Sequence, residues 1–505
     1  MNIQKDTWFV IDSYFKNTPD YIAKHHIDSY NDFIDNKLPI LFKEKHKQTI
    51  LRDGIPADNN YRYSANIYFG GKDGTKFRIG KPTYYDHDTK EMRILYPNEA
   101  RLKNLTYGCD IFFDIEVEYS LLDEDTGKYI YKDIAPPMNT DFMKNKFLTR
   151  LPIMLHSKIC SLYGLSEQMK MNVGEGKYDP GGYFIFDGNE KVIVCQERKA
   201  ENKLFLHHSK IKRISHYIEV KTQSIEELKS ARTNRVQFEY NNYITVRIGQ
   251  SDAFLEEKNG RDIPLFIIFR LLGIESDKEI LEFIFQDLDT KSSHILMEMI
   301  RPSINDPFII EDQVYDKESA INYCENIHKK IISDKDNKFS QIKNNKQLRL
   351  MLLYEVIYEN FLPHIGKNFR DKAFYLSIMV RKLLLFKAGL INETNIDNFN
   401  NKRIDLSGGL LASGFRNALR EFIRKIKVSI SAKYEFEPGE YSDENFAKIL
   451  NENNFDTLLD AEVFNTHFFK ELKKGNIEIG PKVTKNGVIR TLERLSFFDD
   501  MSHIR

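Results

Sequence analysis

The chain has 505 residues, 41% hydrophobic and 29% charged, which excludes a disordered chain and leaves material for roughly two to four folded domains. Lysine plus arginine and aspartate plus glutamate both number 74, so a surface for a polyanion has to be local rather than global. No apolar run is long enough to cross a bilayer, and the N-terminus lacks the features of a signal or transit peptide, which points to an intracellular protein with no membrane partner.

In chain order, roughly the first two hundred residues read as mixed α and β, with short strands parted by Gly, Asp and Asn turns. His25 and His26 are consecutive, so on a helix or a strand they need a third partner to hold one metal ion; without it they are surface or core-edge histidines. Phe69 to Gly74 (FGGKDG) and Gly174 to Gly182 (GEGKYDPGG) are explained by turn chemistry rather than as phosphate cradles. The run DIFFDIEVEY predicts one half-buried strand over Asp110 to Tyr119, with Asp114, Glu116 and Glu118 on one face and Ile115, Val117 and Tyr119 on the other. Three aligned carboxylates fit a divalent cation in principle, and fit a solvated strand face as well. The cysteines at 109, 160, 195 and 324 lie too far apart for zinc-ligand pairs or a disulfide framework, so they read as small buried thiols and no metal site is expected.

From about 203 to 400 the pattern is richer in helix. Leu265 to Ile274 is apolar but broken by Arg270. Apolar residues at Leu348, Met351, Leu352, Val356 and Phe361 predict a core helix over Gln347 to Leu362, stopped by Pro363. Asp336 to Lys346 and Asn392 to Asn401 are polar, Asn-rich connections.

Between Lys402 and Lys427 seven basic residues stand against two acidic ones. A helix beginning near Leu410 places Leu411, Phe415, Leu419, Phe422 and Ile426 on an apolar face and Arg416, Arg420 and Arg424 on another. Such a stripe suits a solvated face or the tracking of a phosphate backbone, and periodicity does not choose between them. No P-loop, HExxH, GxSxG elbow or kinase signature is present, and no Asp-rich loop for two-metal phosphoryl transfer. No catalytic residue is therefore assigned.

Several segments resemble the second-largest, beta-like subunit of multisubunit DNA-dependent RNA polymerases of the eukaryotic and large-DNA-virus type. His26 to Phe33 resembles its HxxSYNxF core, Leu95 to Ile115 its PxxARLxxLTY region, and Leu151 to Cys160 its PIMLxSxxC segment. The run from Tyr178 to Asn202, YDPGGYFIFDGNEKVIVCQERKAEN, follows the family pattern almost residue for residue. Further matches are Ile263 to Ile280, Phe361 to Gly366, Asn401 to Ala412 and Asn486 to Arg505, all in the family's order.

The resemblance implies an α+β architecture: a protrusion over 1–202, interrupted by a lobe at 203–403, resumed over 404–466, and followed from 467 to 505 by the start of the fork. It implies a non-catalytic part of a nucleotidyltransferase, forming cleft walls that position DNA and the RNA:DNA hybrid. Its partners would be the largest subunit, the remainder of the second-largest subunit, other polymerase subunits, the DNA template and the hybrid. No cofactor is expected on this segment; Mg²⁺ belongs to the assembled enzyme, in a nucleus or, for a virus, in a virion or cytoplasmic factory. Lys191 in the GxEKV turn and Arg490 and Arg505 in the fork segment fall where the family approaches the hybrid. With Lys402, Arg403, Arg416 and Arg420 they form the candidate nucleic-acid-binding set. Ser407 and Gly409 stand where the family usually has a small apolar residue and proline, and the loop from Gly475 to Asn486 is shorter than in nuclear enzymes. The chain stops at Arg505 inside the family's SHLRR motif, which suggests a split gene, a first exon or a fragment. The alternative is a scaffold or nucleic-acid-binding protein derived from that subunit.

Overall fold

The computed structural model describes residues 3–18, 21–55, 60–86, 90–122, 129–132, 143–210, 212–224, 231–248, 262–286, 291–325, 350, 353–354, 357–437, 439–441, 449–450, 452, 455–480 and 483–505. Helices and strands mix throughout, as an α+β chain requires. There are two compact units, one made of residues 1–55, 60–197 and 404–505, the other of 56–59 and 198–403.

In the first unit the helices Ile3–Asn17, Lys24–Asp32 and Leu38–Lys45 lead into β1 (Lys47–Ile55) and β2 (Asn60–Phe69). There follow β3 (Phe77–Ile79), the hairpin β4 (Thr83–Asp86) and β5 (Glu91–Ile94), then β6 (Gly108–Phe113), β7 (Ile115–Leu122), β8 (Tyr129–Lys132) and β9 (Lys146–Pro152). They form two antiparallel sheets, ordered β1-β2-β7-β8 and β3-β6-β9.

The single strand predicted over Asp110 to Tyr119 is in fact two, β6 and β7, which belong to different sheets and part at Asp114. Asp114 is taken out of the ladder by its neighbours: its N–H donates to the Lys76 carbonyl at 3.0 Å, and its own carbonyl accepts from Gly70 at 2.8 Å. Its carboxylate accepts the Asn145 N–H at 2.8 Å, so it does not join Glu116 and Glu118. Along β7 the alternation holds, with Ile115, Val117 and Tyr119 buried and the two glutamates turned outward. Glu116 pairs with Lys76 and Glu118 with Lys72, each at 2.5 Å, so these carboxylates are engaged by lysines.

Beyond β9, β10 (Phe184–Phe186) and β11 (Asn189–Ile193) make a tight hairpin, and β12 (Gln196–Lys199) carries the chain out of the first unit. The YDPGG turn ahead of β10 needs its second glycine: Gly182 has φ +80°, and a Cβ there would lie 2.6 Å from that of Ala23.

The second unit is built on an antiparallel meander of β13 (Leu204–His208), β14 (Ile214–Thr222), β15 (Arg232–Glu239), β16 (Ile244–Ile248) and β17 (Ile263–Pro264), ordered as in sequence. The helix Phe369–Lys387 packs against this sheet and buries Leu376, Val380, Leu383 and Leu384. The helix Leu265–Leu271 is buried at every position, Arg270 included, because its guanidinium donates to the Val314 carbonyl and to Asp277. Of the helix predicted over Gln347 to Leu362, Leu348, Met351, Leu352 and Val356 lie outside the described residues, while Phe361 is buried with Leu353 and Ile357. It ends at Asn360, two residues short of Leu362, which is left-handed (φ +45°) ahead of Pro363. Asp336 to Lys346 also lie outside the described residues.

β18 (Lys402–Asp405) leads into a 30-residue helix, Ser407–Phe436. It starts one turn earlier than the expected Leu410, with both glycines in its first turn. Leu411, Phe415, Leu419, Phe422 and Ile426 are buried on it as periodicity predicts. Phe415 is ringed by Phe33, Phe42, Phe464 and Phe468 at centroid distances of 6.4, 5.8, 4.9 and 5.4 Å, which places the core of this unit along the helix. The hairpin β19 (Ile477–Gly480) and β20 (Val483–Lys485) follows, then β21 (Ile489–Thr491), which pairs with β11 as the third strand of its sheet. The helix Phe497–Ile504 comes last. Among the described residues no helix is long and apolar enough to cross a membrane.

Candidate nucleic-acid interface

The first unit carries five of the seven candidate residues. Lys191 is central on β11, opposite Phe184 on one side and Thr491 on the other. Its ammonium donates to the Lys473 carbonyl at 2.8 Å and lies 5.9 Å from the Phe186 ring centre. Lys473 belongs to the last turn of the helix Glu471–Lys474, so Lys191 spends one donor on a helix C-terminus, where a cation is favoured. Arg490, on the neighbouring strand, is exposed, and its side chain makes no ion pair with any described residue.

The arginine stripe does not face water evenly. Arg416 is half-buried, and burial pushes its pKa down, as does the charge of Arg420, while Glu44 pulls the other way. Its Nε is buried without a hydrogen-bond partner among the described residues. Arg420 is half-exposed and has no ion pair among them, whereas Arg424 is exposed and bound to Glu421 at 2.7 Å. Only the outer part of the stripe is thus available to a phosphate. Arg505 is exposed at the end of the last helix, near enough to His25 for its charge to act on that ring.

Lys402 and Arg403 belong to the second unit. Lys402 pairs with Asp397 at 3.4 Å, and Arg403, exposed, donates to the carbonyl of Lys402 at 2.8 Å. Within the first unit the fold brings Lys191 and Arg490 onto adjacent strands and Arg416 beside Arg420.

A larger polar cluster escaped the sequence motifs taken singly. Arg101 donates to Glu190 at 2.6 Å, to both oxygens of Glu175 at 2.9 and 3.0 Å, and to the Tyr183 hydroxyl at 2.8 Å. Arg494 reaches the other oxygen of Glu190 at 2.6 Å and lies 3.3 Å from Asp500 and 3.7 Å from Asp179. Burial works against the charge of Arg101, but Tyr183, Glu175 and Glu190 outweigh it, so the net shift is upward. The signal was present in pieces: Arg101, Asp179 with Glu190, and Arg494 each come from a different family-like segment.

The HxxSYNxF residues explain themselves in the same way. The Ser29 hydroxyl accepts the Gly408 N–H at 3.1 Å, Tyr30 donates to the Pro152 carbonyl at 2.6 Å, and the Asn31 side chain accepts the Lys158 N–H at 3.0 Å. These bonds tie the segment to distant parts of the first unit.

His26, 1% exposed, lies with Nε2 4.0 Å from the Cys195 sulfur, and its ring is 4.2 Å from that of His25. The third partner that the histidine pair lacks in sequence is supplied by the fold. Burial and His25 push the His26 pKa down to about 4, partly offset by the Ile504 backbone. Cys195 is half-buried, unlike the buried thiols of Cys109, Cys160 and Cys324.

With this geometry in hand, comparison with known proteins is decisive: the family model described as RNA polymerase beta subunit matches residues 21–446. The chain belongs to this family. Among similar curated proteins, the DNA-directed RNA polymerase II subunit RPB2 of Encephalitozoon cuniculi is 27% identical over 99% of this chain and 39% of its own length. The protein of the same name from Eremothecium gossypii is 29% identical over 99% of this chain and 38% of its own. The DNA-directed RNA polymerase subunit Rpo2N of Methanothermobacter thermautotrophicus is 28% identical over 100% of this chain and 86% of its own. The chain therefore spans about two fifths of the polymerase II relatives it matches.

Proposed function

We propose that this chain is the N-terminal portion of the second-largest subunit of a DNA-directed RNA polymerase and contributes walls of the cleft that position DNA and the RNA:DNA hybrid. What carries the reading is the collinear likeness, over 99% of the chain, to relatives named as polymerase subunits. In family terms 1–202 and 404–466 are the protrusion, 203–403 the lobe and 467–505 the beginning of the fork. Partners are the largest subunit, the rest of the second-largest subunit and further polymerase subunits. The compartment is the one in which that assembly transcribes: a nucleus or, for a large DNA virus, a virion or cytoplasmic factory.

Template-directed nucleotide addition uses Mg²⁺, which stabilises the attacking and leaving oxygens of the transferred phosphoryl group. Of the aligned carboxylates, Glu116 and Glu118 are engaged by lysines and Asp114 accepts the Asn145 N–H. This supports placing the metal on another chain, with this one acting by positioning.

The test uses the assembled polymerase with Arg420→Ala, Arg490→Ala and Arg505→Ala, three arginines that have no ion pair among the described residues. Retention of the elongation complex should weaken uniformly across template sequences, and the slope of log affinity against log salt should fall by about one for each phosphate no longer neutralised. An unchanged salt slope in all three variants overturns the nucleic-acid role. A polymerase that elongates normally without this chain overturns the subunit reading.

A further inference from the structure

We propose that His25, His26 and Cys195 form a binding site for one zinc-class transition-metal ion, which staples the Lys24–Asp32 helix to the chain leaving β11. Consecutive residues on a helix point about 100° apart, so two adjacent imidazoles converge on one ion only if a third ligand lies in the wedge between them. Cys195, 169 residues further on, occupies that wedge. One ring nitrogen from each histidine and the Cys195 sulfur all lie within 4.8 Å of one another, the one such convergence of three His, Cys, Asp or Glu groups among the described residues.

A tetrahedral zinc ion with bonds of about 2.0–2.3 Å needs ligand atoms about 3.3–3.6 Å apart, so a pair at the 4.8 Å limit has to close by about 1.2–1.5 Å and the His26–Cys195 pair, at 4.0 Å, by about half as much. Two imidazoles and a thiolate are ligands for zinc or another borderline to soft ion rather than for magnesium or calcium, which take oxygen ligands. Binding releases the Cys195 thiol proton to solvent as the metal–sulfur bond forms. Three protein ligands leave a fourth position for water or another donor. Arg505 is the cation near His25 that opposes the ion's charge.

The full chain, stripped with a chelator and titrated with Co²⁺, should develop a thiolate-to-metal charge-transfer band and tetrahedral d–d bands. These should saturate at one equivalent and disappear when Zn²⁺ displaces the cobalt. Cys195→Ala should abolish the charge-transfer band, and His25→Ala, at a half-buried position that tolerates truncation, should weaken binding about 10-fold or more. Arg505→Ala should tighten it. Circular dichroism melts establish that the variants are folded. Absence of a saturable one-equivalent band in the wild-type chain overturns the proposal, as does a band that persists in folded Cys195→Ala.

Discussion

Gly408 lies so close to Ser29 that a Cβ added to it would stand 1.9 Å from the Ser29 carbonyl oxygen. The two also share a hydrogen bond of 3.1 Å from the Gly408 N–H to the Ser29 hydroxyl, so the long helix meets the Lys24–Asp32 helix backbone to backbone. Gly409, the next residue, has nothing within 4 Å of its would-be Cβ. Gly408→Ala should therefore cost about 3 kcal/mol or more, since backbone has to move, whereas Gly409→Ala should gain about 0.5–1 kcal/mol from helix propensity. Urea denaturation of both variants checks this, and equal effects would contradict it.

Arg101 is the hub of the buried polar cluster, with side chains of Glu175 and Asp179 only 3% and 9% exposed beside it. Arg101→Met strands the Glu175 carboxylate and should destabilise by about 3–5 kcal/mol. Arg101→Lys should not rescue it, because a single ammonium cannot reach Glu190, Glu175 and the Tyr183 hydroxyl, which Arg101 meets through three different nitrogens. Arg494→Ala, at a more exposed residue, should cost about 1 kcal/mol. Thermal unfolding of the three variants separates these outcomes.

Burial, helped by Glu239, raises the Asp262 carboxyl to about 6, while Arg247, Gln237 and Arg213 pull it back. A carboxyl raised in the folded state binds more protons there than in the unfolded chain between pH 3.8 and about 6. Its stabilising contribution is therefore complete below 3.8 and lost as pH rises through 6. Asp262→Asn stays neutral and retains an acceptor for Gln237, so its stability relative to wild type should improve by about 3 kcal/mol between pH 4 and pH 8. Denaturant unfolding across that range reads the gap; a gap independent of pH would rule the mechanism out.

Lys372, fully buried, donates to the carbonyls of Ile357, Tyr358 and Phe361 at 2.9, 3.2 and 2.6 Å, closing the end of the helix before Leu362. Lys372→Met leaves these carbonyls unmet and should cost about 2–4 kcal/mol at neutral pH. Burial also lowers the ammonium to about 8 from 10.5, with Glu359 opposing. The unfolded chain then binds more protons between those values, so wild-type stability should rise through that window, and the rise should be missing from Lys372→Met.

Local pattern alone was enough to show helix and strand mixed over the first two hundred residues, the buried face of β7 and the apolar stripe of the long helix from Leu411 to Ile426, because helix and strand periods repeat over a few residues. The order of segments such as His26 to Phe33 and Tyr178 to Asn202 was likewise enough to point to the family. Only tertiary structure decided that the predicted strand divides at Asp114, where bonds with Gly70, Lys76 and Asn145 outweigh the continuous alternation. It also decided which charges are spent inside the molecule: Lys191 on the Lys473 carbonyl 282 residues away, Arg494 on Glu190 304 residues away. The meeting of His26 with Cys195 is of the same kind. Spacing along the chain carries no trace of such pairings, since a hydrogen bond between distant residues depends on where two separate elements come to rest in the packed core.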